Sequence, residues 1–235
     1  MSNTNKGSVD SGTAALFAGA EAYNAKDFTY YFTNARRDCV RELPPNANAR
    51  ILEIGCGGGG TGALALHDRK CGSYYGVEMF PAAAEMARER LTEVLIGDIE
   101  KLDLPWSPES FDALIISEVL EHLADPWATL RKLRGMLRPA GLVFASSPNV
   151  SNRKVIAMLM RGEWTLTDSG TMDRTHLRWF TPKTYREMFE SCGYCVDSVR
   201  ELHPLTRKAK ALNALTLGRF RHLFVVQIDL RAHRA

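Results

Sequence analysis

The chain has 235 residues, 45% of them hydrophobic and 24% charged, with a formal net charge of +3. That composition supports a full globular core and excludes a disordered, collagen-like or disulfide-stapled chain. No run approaches the roughly 18 apolar residues needed to span a bilayer, and the polar start MSNTNKGSVDSG does not read as a secretory signal.

Residues 13–42 predict a helical segment, closed by Pro44-Pro45, so that residues 1–42 form an N-terminal helical cap. Residues 43–235 then read as one domain. Short apolar runs ending in turn residues predict strands at Arg50–Ile54, Ser73–Glu78, Val94–Gly97, Phe111–Ser117 and Gly141–Ser147. Helices separate them: one opens at Pro81, one at Asp125-Pro126 and one at Thr181-Pro182, the last ending at Gly193. Two more strands are predicted at Tyr194–Leu202 and His222–Leu230. Strand and helix alternate at βαβ spacing, which predicts an α/β fold with a mostly parallel seven-stranded sheet covered on both faces. Ligands of such sheets bind beyond the carboxyl ends of the strands, so the residues just after each strand carry the functional signal.

The first strand runs into ILEIGCGGGGTG. Glycines here allow a tight turn and close approach of a ligand to the backbone. Gly55, Gly57 and Gly60 satisfy a loose G-x-G-x-x-G dinucleotide pattern, but Glu53 at the strand end would repel a pyrophosphate and attract an ammonium. Glu78 ends the second strand and Asp98 follows the third. A cationic ligand with a ribose diol and an adenine amino group would use all three carboxylates, which describes S-adenosylmethionine.

The E-x-G-C-G-G-G run, the Glu after strand two, the Gly-Asp at strand three and FDALIISEVLEHLADPWATLRKLRGMLRPAGLVFASSPN resemble, in order, the class I S-adenosylmethionine-dependent methyltransferases with their Rossmann-like fold. The resemblance covers roughly residues 30–200. It implies that Glu78 holds the ribose hydroxyls, Asp98 the adenine amino group and Glu53 the ammonium, directly or through water. Gly55, Cys56, Gly57 and Gly59 would pass beside the methionine end, Met79 and Ile99 would flank the adenine, and Ser117 would sit near the methionine moiety. One position departs from the family: Ala140 stands where the first glycine of a Pro-Gly-Gly turn is usual.

Transfer to a hydroxyl benefits from a base that takes its proton, and histidine is the natural candidate. His176 lies in MDRTHLRWFTP, between strand five and the helix opened by Pro182. The D-R-T-H-L-R-W-F-T run is similar to one in bacterial methyltransferases that accompany glycosyltransferases, which implies a sugar, glycan-linked or other small hydroxylated acceptor. His176 is read as the general base, Asp173 as its orienting partner, and Arg178 with His122 as acceptor contacts; Asp173, His176 and Arg178 can instead form a lid network that closes over the cofactor without proton transfer. A phenolic or quinone-type acceptor, and a non-catalytic partner subunit, are the alternatives. Glu118, Glu121 and His122 fall at i, i+3 and i+4, one face of a helix. The ubiquinone-pathway O-methyltransferases, which this stretch resembles, use such a set for Mg²⁺; relatives without metal carry it too, and no metal is assigned. Tyr30, Tyr31 and Arg36 are placed over the cofactor or in helix packing.

The five cysteines (Cys39, Cys56, Cys71, Cys192, Cys195) form no CxxC pair, which points to reduced thiols in a cytoplasmic protein and to no zinc site. No cysteine nucleophile stands beside strand four or five, and no Asp/Asn-Pro-Pro-aromatic motif follows strand four, which argues against a nucleic-acid base as acceptor. The net charge divides by position. Residues 1–202 hold 23 basic and 26 acidic side chains, residues 203–235 hold 7 and 1. The basic excess in 204–222 is either a solvated insertion or a surface for something anionic, such as a nucleotide-activated sugar, a lipid phosphate or a membrane face.

Overall fold

The computed structural model describes residues 35–235. Most of the expected N-terminal cap, including Tyr30 and Tyr31, lies outside the described residues; within them, Ala35 and Arg36 are non-helical and α1 spans Arg37–Glu42. A seven-stranded sheet follows, built from β1 (Arg50–Ile54), β2 (Ser73–Glu78), β3 (Glu93–Ile96), β4 (Phe111–Ser117), β5 (Leu137–Pro148), β6 (Tyr194–Glu201) and β7 (Gln227–Arg234). Their order in the sheet is β3-β2-β1-β4-β5-β7-β6. The first five strands pair in parallel and β7 runs antiparallel to both β5 and β6. This is the mostly parallel sheet that the βαβ alternation predicts.

Strand β1 is buried from Ile51 to Ile54 because both of its faces are covered. Leu52 and Ile54 join one core with Leu114, Ile116, Leu130 and Phe189, while Ile51 joins the other with Tyr74, Ala84 and Ile115. The first core packs under α4 (Pro126–Arg134) and α6 (Pro182–Ser191), the second under α1, α2 (Gly60–His67) and α3 (Pro81–Arg88). Asp125 caps α4 by accepting from Ala128 N at 2.9 Å, and Thr181 and Thr184 cap α6 reciprocally.

Two strand starts differ most from the sequence expectation. Strand β5 begins at Leu137 rather than Gly141, with a register shift against β4 between Phe111 and Ala113. The turn inside it places Ala140 at φ 61°, a left-handed conformation that costs a non-glycine residue about 1 kcal/mol. The last strand begins at Gln227 instead of His222, because Arg221–Phe224 close a 3-10 turn first. The connection before it carries a helix, α7 (Arg207–Leu215), and that between β5 and β6 carries α5 (Arg153–Met160) in addition to α6.

Strand order reverses at β1, whose neighbours are β2 on one side and β4 on the other. The loops leaving the carboxyl ends of β1 and β4 therefore diverge and leave a crevice between them.

Candidate active site

That crevice is a cavity of about 340 Å³, lined from the carboxyl ends of β1 to β4. Its walls include Glu53, Gly55, Cys56 and Gly57 from β1 and its loop, Glu78 at the end of β2 and Met79 after it, Asp98 and Ile99 after β3, and Ser117 at the end of β4. Nine of the ten residues that the sequence assigned to cofactor binding thus share one cavity; the tenth, Gly59, caps α2 just behind it.

The glycine loop is shaped by backbone conformation. Gly55, Gly57 and Gly59 take φ of 71°, 53° and 78°. A Cβ on Gly55 would stand 2.6 Å from a Val119 methyl, so the loop and the turn after β4 approach more closely than any side chain permits. Gly59 caps α2 without a side-chain acceptor, leaving amides of its first turn open. The thiol of Cys56 packs on Gly76, where a Cβ would come within 2.5 Å of the sulfur.

Glu78 braces this loop. Its Oε2 accepts from Gly57 N at 2.8 Å and its Oε1 from Phe80 N at 2.9 Å. Burial raises its pKa above the ordinary carboxylate value, while the two amides and that of Met79 oppose the shift. Glu53 lies deeper, on the face of β1 that also carries Ile51. Tyr74 Oη donates to its Oε2 at 2.9 Å. Burial pushes its carboxyl up to about 8, against hydrogen bonds from Tyr74 and Thr61 and the charge of Arg36. Asp98 stands nearer solvent, with Oδ1 accepting from Glu100 N and Oδ2 paired with Lys101 at 2.9 Å.

Arg36 is the cation of this cavity wall, and its charge is taken up by Asp38 and Asp229 at 2.7 and 3.3 Å. It also donates to Ser117 Oγ and Ser146 Oγ at 2.6 and 2.7 Å, while its amide donates to Thr61 Oγ1. Arg36 thereby ties the chain before α1 to the ends of β4 and β5. The wall keeps four carboxyl groups, Glu53, Glu78, Asp98 and Glu118, around one neutralised guanidinium, a setting suited to a cationic ligand.

The histidines lie at the β4 side of the cavity. His122 lines it directly, and His176 stacks edge-on against His122 with ring centroids 4.7 Å apart. His176 Nδ1 lies 3.2 Å from Thr171 O, and His122 Nδ1 lies 3.2 Å from Thr175 O. A carbonyl only accepts, so Nδ1 of each ring carries a proton in these contacts. Leu177 and Arg178 amides donate to Glu121 O, pinning the His176 loop to the turn that carries His122. The Asp173 carboxylate accepts from Thr175 N at 2.9 Å and Thr175 Oγ1 at 2.7 Å, and that hydroxyl also reaches His122 Nδ1. Asp173 receives His176 through its backbone carbonyl. The Arg178 guanidinium donates to Ala124 O, clamping the loop to the chain beyond His122.

The expected helical face of Glu118, Glu121 and His122 does not form. Glu118 takes φ 54° and only Leu120–His122 make a 3-10 turn, so the three do not share a helix face. Glu118 instead accepts from Ser146 Oγ at 2.8 Å. Among the described residues, the group with metal-ligand proximity is Glu121, His122 and His176, one atom of each lying within 4.8 Å of the others. Glu121 Oε1 is buried with no hydrogen-bond partner, and backbone carbonyls orient both imidazoles, as ligating histidines require. Burial, reinforced by Glu118, holds the Glu121 carboxyl well above the ordinary carboxylate range.

Residues 28–199 match the family model described as "Methyltransferase domain". The chain belongs to the methyltransferase domain family. Its cofactor is S-adenosylmethionine, whose charge and functional groups fit the glycine cradle and acidic wall described above, and it is an enzyme rather than the non-catalytic subunit weighed from the sequence. Over 171 residues it is 29% identical to a ubiquinone biosynthesis O-methyltransferase of Aeromonas salmonicida, covering 68% of this chain and 70% of that one. A ubiquinone biosynthesis O-methyltransferase of Cereibacter sphaeroides is 28% identical over 184 residues, covering 77% and 70%. The fold is shared with an S-adenosylmethionine-dependent methyltransferase from Archaeoglobus fulgidus at TM-score 0.60 and 18% identity, covering 88% and 98%.

Thr61, which lines the cavity, and Tyr74, which stands behind it against Glu53, are two polar site residues that the sequence left unmarked. Tyr74 reaches Glu53 only through the register that sets Glu53 opposite Gly76 on the neighbouring strand. No sequence spacing reports that register.

Proposed function

We propose that this methyltransferase acts on the hydroxyl of a small phenolic or quinone-type acceptor. The similarity to two ubiquinone biosynthesis O-methyltransferases over most of the chain carries the acceptor class. It takes precedence over the sugar or glycan-linked hydroxyl suggested by the D-R-T-H-L-R-W-F-T run. Bound S-adenosylmethionine supplies a methyl group activated by its sulfonium. Glu78 and Asp98 hold the ribose and adenine ends, and Glu53 faces the ammonium. His176 Nε2 takes the acceptor proton as the oxygen–methyl bond forms, with Nδ1 held by the Thr171 carbonyl. His122, which lines the cavity beside His176, positions the hydroxyl.

Methyl-labelled cofactor offered with catechol-type phenols and, separately, with glycosides tests the acceptor. Label is expected in phenolic ethers; transfer to glycosides alone would overturn the class.

Glu53 gives the cofactor affinity a pH dependence. Its carboxyl is neutral below about pH 8 in the free protein, and an ammonium beside it favours the ionised form. Binding then releases a proton, so affinity rises with pH, by up to about tenfold per unit between roughly pH 6 and 7.5. Calorimetry of S-adenosylhomocysteine in two buffers of different ionisation heat measures the proton released. Glu53→Gln is expected to flatten the profile, and a flat wild-type profile would place the ammonium elsewhere.

A further inference from the structure

Among the described residues, ten of the eleven exposed large apolar side chains fall in just two connections, residues 149–193 between β5 and β6 and residues 202–226 between β6 and β7. Both leave the sheet at one edge, and the second also returns there, while the first returns at the opposite edge, where Tyr194 pairs with Arg234. Strand β5 ends at Pro148, which pairs with Gln227 at the start of β7, and Glu201 at the end of β6 pairs with Ile228. This is the edge at which the cavity lies. Apolar surface concentrated on one side of a molecule, rather than scattered, marks a contact face.

The β6–β7 connection is the more telling half. Helix α7 buries only Ala209. Arg207, Ala211, Ala214 and Leu215 fall opposite Ala209 around the helix, with Lys208 and Lys210 flanking them. Leu215 and Leu217 are 82% and 95% exposed, and Met160 at the end of α5 is 84% exposed. Residues 203–228 contain five Lys and Arg and no Asp or Glu. Of those five, Arg221 is paired, with Glu201 at 2.5 Å. An apolar centre with a basic rim and no acidic residue complements a surface that is apolar beneath and anionic at its boundary. The face is also fastened to the site. Asn149 Nδ2 donates to His222 O and Val225 O, Asn152 Nδ2 donates to Val225 O, and Val150 N donates to Phe180 O beyond His176.

We propose that this face docks onto a bilayer bearing anionic headgroups, through α7 and the chain to Val226, and so brings the cavity edge to the lipid boundary. The inference does not depend on which hydroxyl is methylated. The full chain is sedimented with vesicles of phosphatidylcholine alone and with vesicles containing about one third phosphatidylglycerol. Partition onto the anionic vesicles alone is expected, and it weakens as salt is raised. The triple variant Arg207→Gln, Lys208→Gln, Lys210→Gln is expected to bind about a hundredfold more weakly. The pair Leu215→Ser, Leu217→Ser is expected to lose at least about tenfold while keeping the salt slope. Absence of wild-type binding, equal binding to neutral vesicles, or insensitivity to both sets of substitutions would overturn the proposal. A solution dimer that Leu215→Ser, Leu217→Ser dissociates would overturn it too, assigning the face to a second copy of the chain.

Discussion

Glu78→Ala is expected to weaken S-adenosylhomocysteine binding by about a hundredfold or more. Each oxygen of this carboxylate has two lone pairs and already gives one to a backbone amide, Gly57 or Phe80. The second pair on each is available to a ribose hydroxyl, so one buried group holds both the loop and the ligand. Hydrogen bonds to a charged acceptor contribute about 1.5–3 kcal/mol each, and losing two gives a factor of about 10² to 10⁴. Glu78→Gln separates the two roles. It keeps one carbonyl acceptor, but its amide group faces a backbone N–H wherever it is turned, so the glycine loop loosens as well. Calorimetry gives the affinity and a thermal melt the stability. A folded alanine variant with unchanged affinity would place the ribose away from Glu78.

The second large effect belongs to the reaction rather than to cofactor binding. His176→Ala is expected to lower kcat by about 10² to 10⁴, the usual worth of a positioned base, with S-adenosylhomocysteine affinity within about twofold. The separation follows from position. His176 is 7% exposed and stacks on His122, whereas the carboxyl groups proposed to hold the cofactor line the cavity from other elements. Single-turnover rates with a phenolic acceptor measure the chemical step. Turnover close to wild type would remove His176 as base and leave it a role in closing the loop. The grouping of Glu121, His122 and His176 adds a discriminating arm. If a chelator abolishes wild-type activity and added Mg²⁺ or Mn²⁺ restores it, these three act as ligands and the proton must leave by another route.

Much of the proposed cofactor site is legible from sequence because its residues sit at fixed offsets from strand ends. In a parallel sheet every strand delivers its carboxyl end to the same edge, so Glu53, Glu78 and Asp98, each at or just after a strand, must converge once the strands pair. Glycine positions are legible for the same reason, since a strand-to-helix turn at that edge leaves little room for side chains. The turn after β4 is not legible in this way. E-V-L-E-H has helical spacing, yet the left-handed Glu118 sends its carboxyl to Ser146 and leaves Glu121 facing two imidazoles. That conformation is imposed from outside: Glu118 N is bonded to Ser146 O and Glu121 O receives the Leu177 and Arg178 amides.

Charge shows the same division. Counting residues already separates a mildly acidic body from a basic last segment, but a count has no direction. Tertiary structure decides that the basic segment forms a nearly unburied helix at the edge of the sheet where the cavity lies, beside the other large group of exposed apolar side chains. The sequence by itself determined the α/β class, the strand-end carboxylates and the glycine loop, because these follow from local pattern and from the polarity of parallel strands. Only the tertiary structure decided that Tyr74 and Thr61 meet Glu53, that His122 stacks on His176, and that Asp173 joins His122 through Thr175. Those pairings depend on strand register and on how a long connection folds back onto β4 and β5, and neither is written in any short window of sequence.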